Sequence, residues 1–371
     1  MKTHADRDWV VERAKALGFD LCGVAKAEKF PELDKFKDWL ERGYAGEMKY
    51  LQDARRAEPS SVMQDLRSVI VCALNYNTEH SYSIKAATAG EAQGGSPRGW
   101  VSRYAWGDDY HELMWAKLNV LSEKMKERFA EPFVARAYSD TGPVDERVFA
   151  KYAGLGWLGK NTLLLNRNLG SWFFLGVIFT TLDLPPSIGP MESPPPDLCG
   201  SCRRCIDACP TDALVQPYVM DARKCISYLT IELRDSIPEE FRRQVGWQVY
   251  GCDICQDVCP YNRKAPVTSS MEFQPRGQGS EKSLLEPDLE WLVNMEQEEF
   301  REVFRGSAMK RTKWTGLVRN ACIALGNAAE QMTPEAAQKA RLSLARRAKS
   351  EISTIAESAQ WALGRIEEVS K

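Results

Sequence analysis

Eight of the eleven cysteines lie between Cys199 and Cys259, and their spacing suits iron better than disulfides. Cys199-x2-Cys202-x2-Cys205-x3-Cys209-Pro210 matches the bacterial ferredoxin run in full. Soft thiolates suit iron–sulfur iron. Three of them at three-residue intervals can wrap one [4Fe–4S] cubane, and the fourth, just before proline, turns toward a second. Cys252-x2-Cys255-x3-Cys259-Pro260 is a shorter second run. Gln248 and Val249 stand where its upstream cysteine belongs, and Cys225 is the available replacement. The expected partition puts Cys199, Cys202, Cys205 and Cys259 on one cluster. Cys209, Cys225, Cys252 and Cys255 take the other, with a helical insertion between Cys225 and Cys252. Structural zinc is the competing reading, but zinc sites commonly use two separated C-x2-C pairs. The triple spacing and the two Cys-Pro endings favour iron–sulfur, hence single-electron transfer.

Other residues carry weaker signals. Gly154-Leu-Gly156-Trp-Leu-Gly159-Lys160 satisfies both the dinucleotide G-x-G-x-x-G and the phosphate-loop G-x-x-x-x-G-K spacings. Those motifs need a strand before and a helix after, so that phosphate meets a helix N-terminus. Here a helix precedes and a strand over 162–165 follows, and Asn161 replaces the Ser or Thr that would hold magnesium. The segment reads as a glycine-rich turn, with Lys160 and Asn161 as candidate cofactor contacts and a bland turn as the alternative. Asp109-Tyr-His111 starts like the cobalamin signature D-x-H-x-x-G, but Met114 stands at the glycine. That argues against a histidine on cobalt. Only His4, His80 and His111 are present, too few for histidine-rich metal catalysis. Asp140, in Ser139-Asp-Thr-Gly-Pro143, reads by pattern as a turn or N-cap aspartate. Spacing reveals neither paired catalytic carboxylates nor a nucleophile elbow.

The elements that must position these residues are mixed. A chain of 371 residues suggests two or three domains. With 44% hydrophobic residues, 27% charged and 36 aromatics, it is globular rather than disordered. A net charge of −2 gives no global field for nucleic acid, though a local basic patch is allowed. No apolar run approaches the roughly 18 residues of a membrane span, and a charged N-terminus leaves no signal-peptide core. A cytoplasmic protein, without membrane contact, is expected. Residues 1–184 read as α/β. A helix carries Trp9, Val10, Ala14 and Leu17, and a buried strand covers 68–75. A loop over 77–99 follows, with helices over 109–129 and 144–153 and strands over 162–165 and 172–181. Six prolines in 185–196 form a linker to the cysteine segment. Residues 271–300 hold eight acids and two bases, a net of −6; residues 301–350 hold eleven bases and three acids, a net of +8. Asn320-Ala-Cys-Ile-Ala-Leu-Gly-Asn327 echoes Ser358-Ala-Gln-Trp-Ala-Leu-Gly-Arg365 at an offset of 38, near the HEAT-type range. Two copies cannot stand as a solenoid, so a helical lid packed on the rest is expected. An ordinary bundle with coincidental similarity is the alternative.

Jointly, these motifs resemble the epoxyqueuosine reductase family, which acts in making the tRNA nucleoside queuosine. The resemblance covers nearly the whole chain. Its carriers are Tyr104-Ala-Trp-Gly-Asp-Asp-Tyr-His111, Asp140-Thr-Gly-Pro143 and Ala153-Gly-Leu-Gly-Trp-Leu-Gly-Lys-Asn161. The cysteine segment adds the run at Cys199, Cys225-Ile-Ser-Tyr-Leu-Thr230 and Tyr250-Gly-Cys-Asp-Ile-Cys-Gln256. The resemblance implies a nitroreductase-like cobalamin-binding domain over 1–184 and a ferredoxin-like domain with two [4Fe–4S] clusters over 185–265. A HEAT-like helical domain follows over 266–371. It implies cobalamin contacts from Arg56, Ser102 (through its backbone), Arg103, Asp140, Leu175, Ser227 and Asp253. Asp140 falls on the family's proton donor.

The implied reaction passes electrons from the clusters to cobalamin and breaks the carbon–oxygen bond of an epoxide. The leaving oxygen takes a proton from Asp140, whose pKa must then be raised toward working pH. The substrate base is at the wobble position of a tRNA anticodon loop, where a nucleotide can be splayed into a pocket. Lys310, Arg311, Lys313 and Arg319 are the candidate phosphate contacts, with a solvated helix face as the alternative. An external electron donor is implied but not identified, and a monomer is expected. Two other readings compete. A small-molecule reductase resembling the reductive dehalogenases would not need the basic C-terminal part. A non-enzymatic two-cluster electron carrier would leave residues 1–184 without a role.

Overall fold

A computed structural model describes residues 2–85, 96–189, 191–280 and 282–369. The loop expected over 77–99 lies partly outside the described residues. Strands β1 (Leu21–Lys26) and β2 (Ser68–Asn75) pair antiparallel; β3 (Trp100–Val101) lies apart, and β4 (Ala135–Tyr138) returns to the same sheet. β5 (Trp157–Leu158) and β6 (Leu164–Leu165) form a hairpin, and β7 (Phe173–Thr180) completes a four-stranded sheet of order β1-β2-β7-β4. β2 is buried along its whole length. Side chains alternate across a strand. Ile70, Cys72 and Leu74 therefore enter one core while Val69, Val71 and Ala73 enter another. Burial on both faces explains a run of apolar residues without alternation.

Helices cover both faces. α1 (His4–Ala16) begins with a Thr3–Asp6 capping box, which satisfies two N-terminal amides. α2 (Pro31–Glu41) follows, then α3 (Tyr110–Arg128), which buries Met114, Leu118, Leu121 and Met125 in the first core. α4 (Glu146–Tyr152) buries Val148 and Phe149 in the second. α1, α3 and α4 lie within a few residues of the expected helices, whereas α2 has no counterpart in the sequence reading. The strand expected over 162–165 shortens to β6, because Thr162 adopts a left-handed φ of 66° in the turn before it.

The cysteine segment has only short elements: α5 (Arg204–Asp207), α6 (Ile226–Ile231), α7 (Glu239–Arg242) and α8 (Ile254–Asp257). The insertion expected to be helical holds α6 and α7, and also β8 (Gln248–Tyr250). β8 pairs parallel with β3, Trp100 opposite Gln248 and Val101 opposite Tyr250. That bridge ties the cysteine segment to the N-terminal half just before Ser102.

The C-terminal part comprises α9 (Leu289–Asn294), α10 (Gln297–Val303), α11 (Lys313–Asn327), α12 (Pro334–Arg347) and α13 (Ser353–Val369). The two repeat segments lie on α11 and α13, which pack together. A Cβ at Gly326 would stand 2.8 Å from the Ala362 Cα, so glycine permits the close approach. The first core runs without a break from Val10 on α1 to Ile366 on α13. Among the described residues no helix is long and apolar enough to cross a membrane.

Candidate active site and thiol segment

The eight thiols fall into two adjoining groups. Burial pushes Cys205 up to about 11, helped by neighbouring Cys259 and Cys199. Burial likewise raises Cys259, beside Cys199 and Cys202. On the other side burial raises Cys252, next to Cys225 and Cys255, and Cys225, next to Cys209. Cys255 neighbours Cys225, Cys205 and Cys209, so it stands where the groups meet. Among the described residues, no three ligand side chains converge as a single metal ion requires; a four-iron cubane is wider. Backbone and side-chain groups of Ser227 donate toward Cys225. The Ala213 amide donates to the Cys209 Sγ at 3.3 Å. Trp157 and Leu165 pack with Cys259, flanked by Cys199 and Tyr261.

The glycine-rich turn braces both runs. Lys160 Nζ donates to the Gly200 carbonyl at 2.5 Å and the Cys202 carbonyl at 2.9 Å. Asn161 Nδ2 reaches the Cys255 carbonyl at 3.4 Å. A Cβ at Gly156 would fall 2.0 Å from the Leu165 carbonyl oxygen, so the phosphate-like spacing serves a tight turn. These two residues hold thiol loops in place.

Asp253, between two cysteines, is buried beneath the β3–β8 bridge. It accepts from Trp100 Nε1 at 3.1 Å, from the Arg103 amide at 2.8 Å and from the Ser102 hydroxyl. Burial pushes its carboxyl up, against those donors. The Arg103 guanidinium donates to Thr78, His80 and Ser81 carbonyls at 2.8–3.0 Å and lies over Trp106, Tyr82 and Trp172. The side chains of Ser102 and Asp253 are thus already partnered within the protein, as are both terminal nitrogens of Arg103, while its buried Nε has no partner among the described residues.

Asp140 lies elsewhere, at the open end of the sheet. Its φ is 59°, and its amide donates to Glu146 Oε1 at 2.8 Å. Next to it, Ser139 Oγ donates to the carbonyl of half-buried Leu175 at 2.9 Å. Arg56 Nη1 donates to the Val144 carbonyl at 3.0 Å, while its buried Nε has no partner among the described residues. Tyr110 Oη donates to Asp140 Oδ2 at 2.9 Å, and His111 Nε2 stands 3.7 Å from the same oxygen. His111 Nδ1 lies 2.7 Å from Asp109 Oδ1.

These contacts decide where the protons are. Burial pulls His111 down, but Asp109 and Asp140 outweigh it and raise it to about 9. Crowding by protein atoms pushes Asp140 up, yet the bonds to His111 and Tyr110 prevail and hold it below its ordinary value. The carboxylate keeps 71% of its side chain open to solvent, so water moderates both effects. Burial and the Asp140 charge push Glu146 up to about 8. The expectation of a raised Asp140 is therefore corrected. In this conformation the neighbouring imidazolium stabilises the carboxylate, and His111 and Glu146 hold the protons.

The cleft is shared among all parts of the chain. Tyr104 Oη donates to Tyr250 Oη at 3.3 Å, and Tyr250 Oη to the Ala308 carbonyl at 2.7 Å. Arg311 lies 5.3 Å from the Tyr50 ring centre and forms a bidentate pair with Glu232, at 2.9 and 2.7 Å. Lys310 Nζ stands 3.8 Å from Asp109, and Lys313 is exposed. Arg319 is corrected as a phosphate contact. It is 1% exposed and donates to the Leu229 and Leu233 carbonyls at 2.6 and 2.9 Å, so it locks α11 onto α6. Sequence reasoning missed Tyr110, His111, Glu146 and Tyr50. The first two lay in the 104–111 run that carries the resemblance, where His111 was weighed only as a cobalt ligand and rejected because Met114 broke the motif; Glu146 and Tyr50 carry no local signal.

A family description, "Epoxyqueuosine reductase QueG, DUF1730", matches residues 56–141, and "4Fe-4S double cluster binding domain" matches 198–262. An epoxyqueuosine reductase of Gloeobacter violaceus is 42% identical over 332 residues, covering 87% of this chain and 97% of that one. The chain belongs to the epoxyqueuosine reductase family. Another epoxyqueuosine reductase, of Pseudomonas aeruginosa, is 39% identical over 97% of this chain and 93% of that one. A crystal structure of epoxyqueuosine reductase with an epoxyqueuosine-modified tRNA-Tyr stem loop superposes with a TM-score of 0.83 at 28% identity. It covers 97% of this chain and 89% of that one. The Bacillus subtilis epoxyqueuosine reductase, in a structure with its catalytic aspartate loop swung out of the active site, gives a TM-score of 0.76 at 27% identity. Coverage there is 97% of this chain and 98% of that one.

Proposed function

We propose that this protein reduces epoxyqueuosine to queuosine at the wobble position of a tRNA anticodon. The observation that carries the reading is the Asp140 network, a solvent-open carboxylate that accepts from Tyr110 and faces His111, in a chain that also carries two sets of thiols. Overall, an epoxide takes up two electrons and two protons and becomes an alkene and water. We assign one [4Fe–4S] cluster to Cys199, Cys202, Cys205 and Cys259, and the other to Cys209, Cys225, Cys252 and Cys255; the grouping of neighbouring thiols supports this. The domains would be a nitroreductase-like one over 1–184, a ferredoxin-like one over 185–265 and a HEAT-like one over 266–371.

Cobalamin, when bound, supplies a strongly reducing, nucleophilic cobalt. The residues fit it. The unpartnered Arg56 Nε and half-buried Leu175 both adjoin the Asp140 loop, and half-buried Ser227 lies beside a thiol. Ser102 would contribute its backbone, and Arg103 and Asp253 would hold the wall behind. His111 is engaged by Asp109 and Asp140, which leaves it no role as a cobalt ligand.

Substrate entering the cleft would displace water from Asp140 and weaken the case for its charged form. A proton held on His111 can then move to Asp140 Oδ2 and on to the leaving oxygen, while Glu146 holds the Asp140 amide. Arg311, Lys310 and Lys313 would meet RNA phosphates at the rim. The test is anaerobic turnover of epoxyqueuosine-containing tRNA after reconstitution with iron, sulfide and cobalamin, with dithionite as donor. Cobalamin-dependent loss of one oxygen, read by nucleoside mass spectrometry, is expected. No conversion with clusters and cobalamin in place would refute the reading.

A further inference from the structure

We propose that a groove over the outer thiol loop docks an acidic one-electron carrier protein. The proposal rests on the cluster assignment above and names the partner that supplies its electrons. The groove, about 800 Å³, is floored by Arg204 and Ala208 of the first cysteine run and Val258 of the second. Ile84, Lys85 and Arg263 form its rim. Its floor residues adjoin Cys205, Cys209 and Cys259 in sequence. A protein seated there lies against the loops that carry the thiols.

The charge of the groove selects the partner. Lys85, Arg204 and Arg263 are exposed and carry no ion pair among the described residues. The two acids beside them are otherwise engaged. Asp207 pairs with Arg203 at 3.4 Å, and buried Asp257 accepts from the Ser83 hydroxyl at 2.5 Å. Ile84 is 49% exposed in the midst of these cations. An apolar centre with a charged rim is the anatomy of a transient protein interface. Like-signed cations steer an acidic partner and speed its encounter without demanding high affinity. RNA phosphate would be drawn to the same charges, but Ile84 and the thiol-loop floor favour a redox protein. The Asp140 cleft shares no lining residue with this groove.

Each encounter would oxidise the reduced carrier by one electron and deliver it to the cluster assigned to Cys199, Cys202, Cys205 and Cys259, two of whose ligands adjoin the groove, with no bond made and no proton moved. Two encounters supply the two electrons that the epoxide consumes.

The test uses the reconstituted full-length enzyme and, as probe, a purified acidic plant-type [2Fe–2S] ferredoxin. Association is measured by calorimetry for the wild type and for Arg204→Glu/Arg263→Glu. Iron content and dithionite-driven turnover are followed in parallel. Wild-type affinity should fall about tenfold between 50 and 300 mM salt, and the double variant should bind about tenfold more weakly at low salt. Dithionite-driven turnover should stay within about twofold, since a small reductant needs no docking face. If the double variant loses iron, Lys85→Glu, outside both cysteine runs, takes its place. Salt-independent binding, or unchanged ferredoxin affinity in the charge-reversed protein, overturns the proposal. So does a variant that loses tRNA stem-loop affinity while holding ferredoxin, which would assign the groove to RNA. Failure of the wild type with dithionite would instead sink the proposed reaction, whatever ferredoxin does.

Discussion

The thiol segment and the Asp140 cleft differ in almost every physical respect. Cys252 and Cys255 are half-buried, and lost hydration raises both thiols. Their loop is braced by Asn161 and the Asp253 knot, and the first cysteine run by Lys160. Asp140 has most of its side chain in solvent and a left-handed backbone, and its loop is held by the amide bond to Glu146 and by Ser139 Oγ on the Leu175 carbonyl. Proposed electron sites thus lie in half-buried loops tied down by side-chain hydrogen bonds, and the proposed proton site lies on a strained loop open to water. Rigidity suits a centre that changes only its charge. A proton donor has to meet a substrate, so access and a movable loop suit it better.

The largest effect that could break this contrast is loss of a thiol. Cys225→Ser should remove one cluster, lower iron from about eight to about four atoms per chain and abolish turnover. Loss of all iron would show that the two sets do not assemble independently. Next is Asp140→Asn, expected to lower kcat about 10²–10⁴-fold while iron and cobalamin contents hold. Wild-type turnover from that variant would remove Asp140 from the proton path.

Arg319→Leu probes the rigid side. It removes a buried cation that satisfies carbonyls of α6 and the loop after it, and leaving those carbonyls unsatisfied should cost about 3 kcal/mol in denaturant unfolding. Stability equal to wild type would show that those carbonyls do not depend on the guanidinium.

His111→Gln sharpens the open side and should lower kcat about tenfold. The pH dependence has a definite sign. His111 and Glu146 are both raised, to about 9 and about 8. The stability His111 contributes is complete below its ordinary value of 6.5 and is lost as pH rises through about 9. Glu146 likewise favours the folded state below 4.5, and that contribution is lost through about 8, where its charge meets Asp140. Wild-type turnover should decline from about pH 8 upward, and Glu146→Gln should remove the earlier part of the decline. A flat profile to pH 10 would count against the network. The smallest effect is Lys310→Ala, which should weaken stem-loop binding a few-fold and reduce its salt slope by about one. An unchanged slope would take Lys310 off the RNA path.

Cysteine spacing was legible because a cluster-binding loop is a local object: its ligands are two or three residues apart and need no distant partner. The same holds for β2, α1 and α3, whose apolar periods and caps are written in consecutive residues. β8 is three residues long, too short for a period, so only its pairing with β3 reveals it. Arg319 looked like surface because basic residues usually are. It is buried because α11 is enclosed from Gly316 to Gly326 and the carbonyls around α6 need a donor. The Asp140 network joins residues 109–111, 140 and 146 through a turn and a helix start, and no spacing rule encodes that meeting. By itself the sequence determined the cysteine pattern, the longer apolar elements such as β2, α3 and β7, and the family resemblance, since these depend on neighbours along the chain. Tertiary structure alone decided which groups hold protons, which cations meet solvent and which are sealed in, because charge and pKa depend on what lies nearby in space.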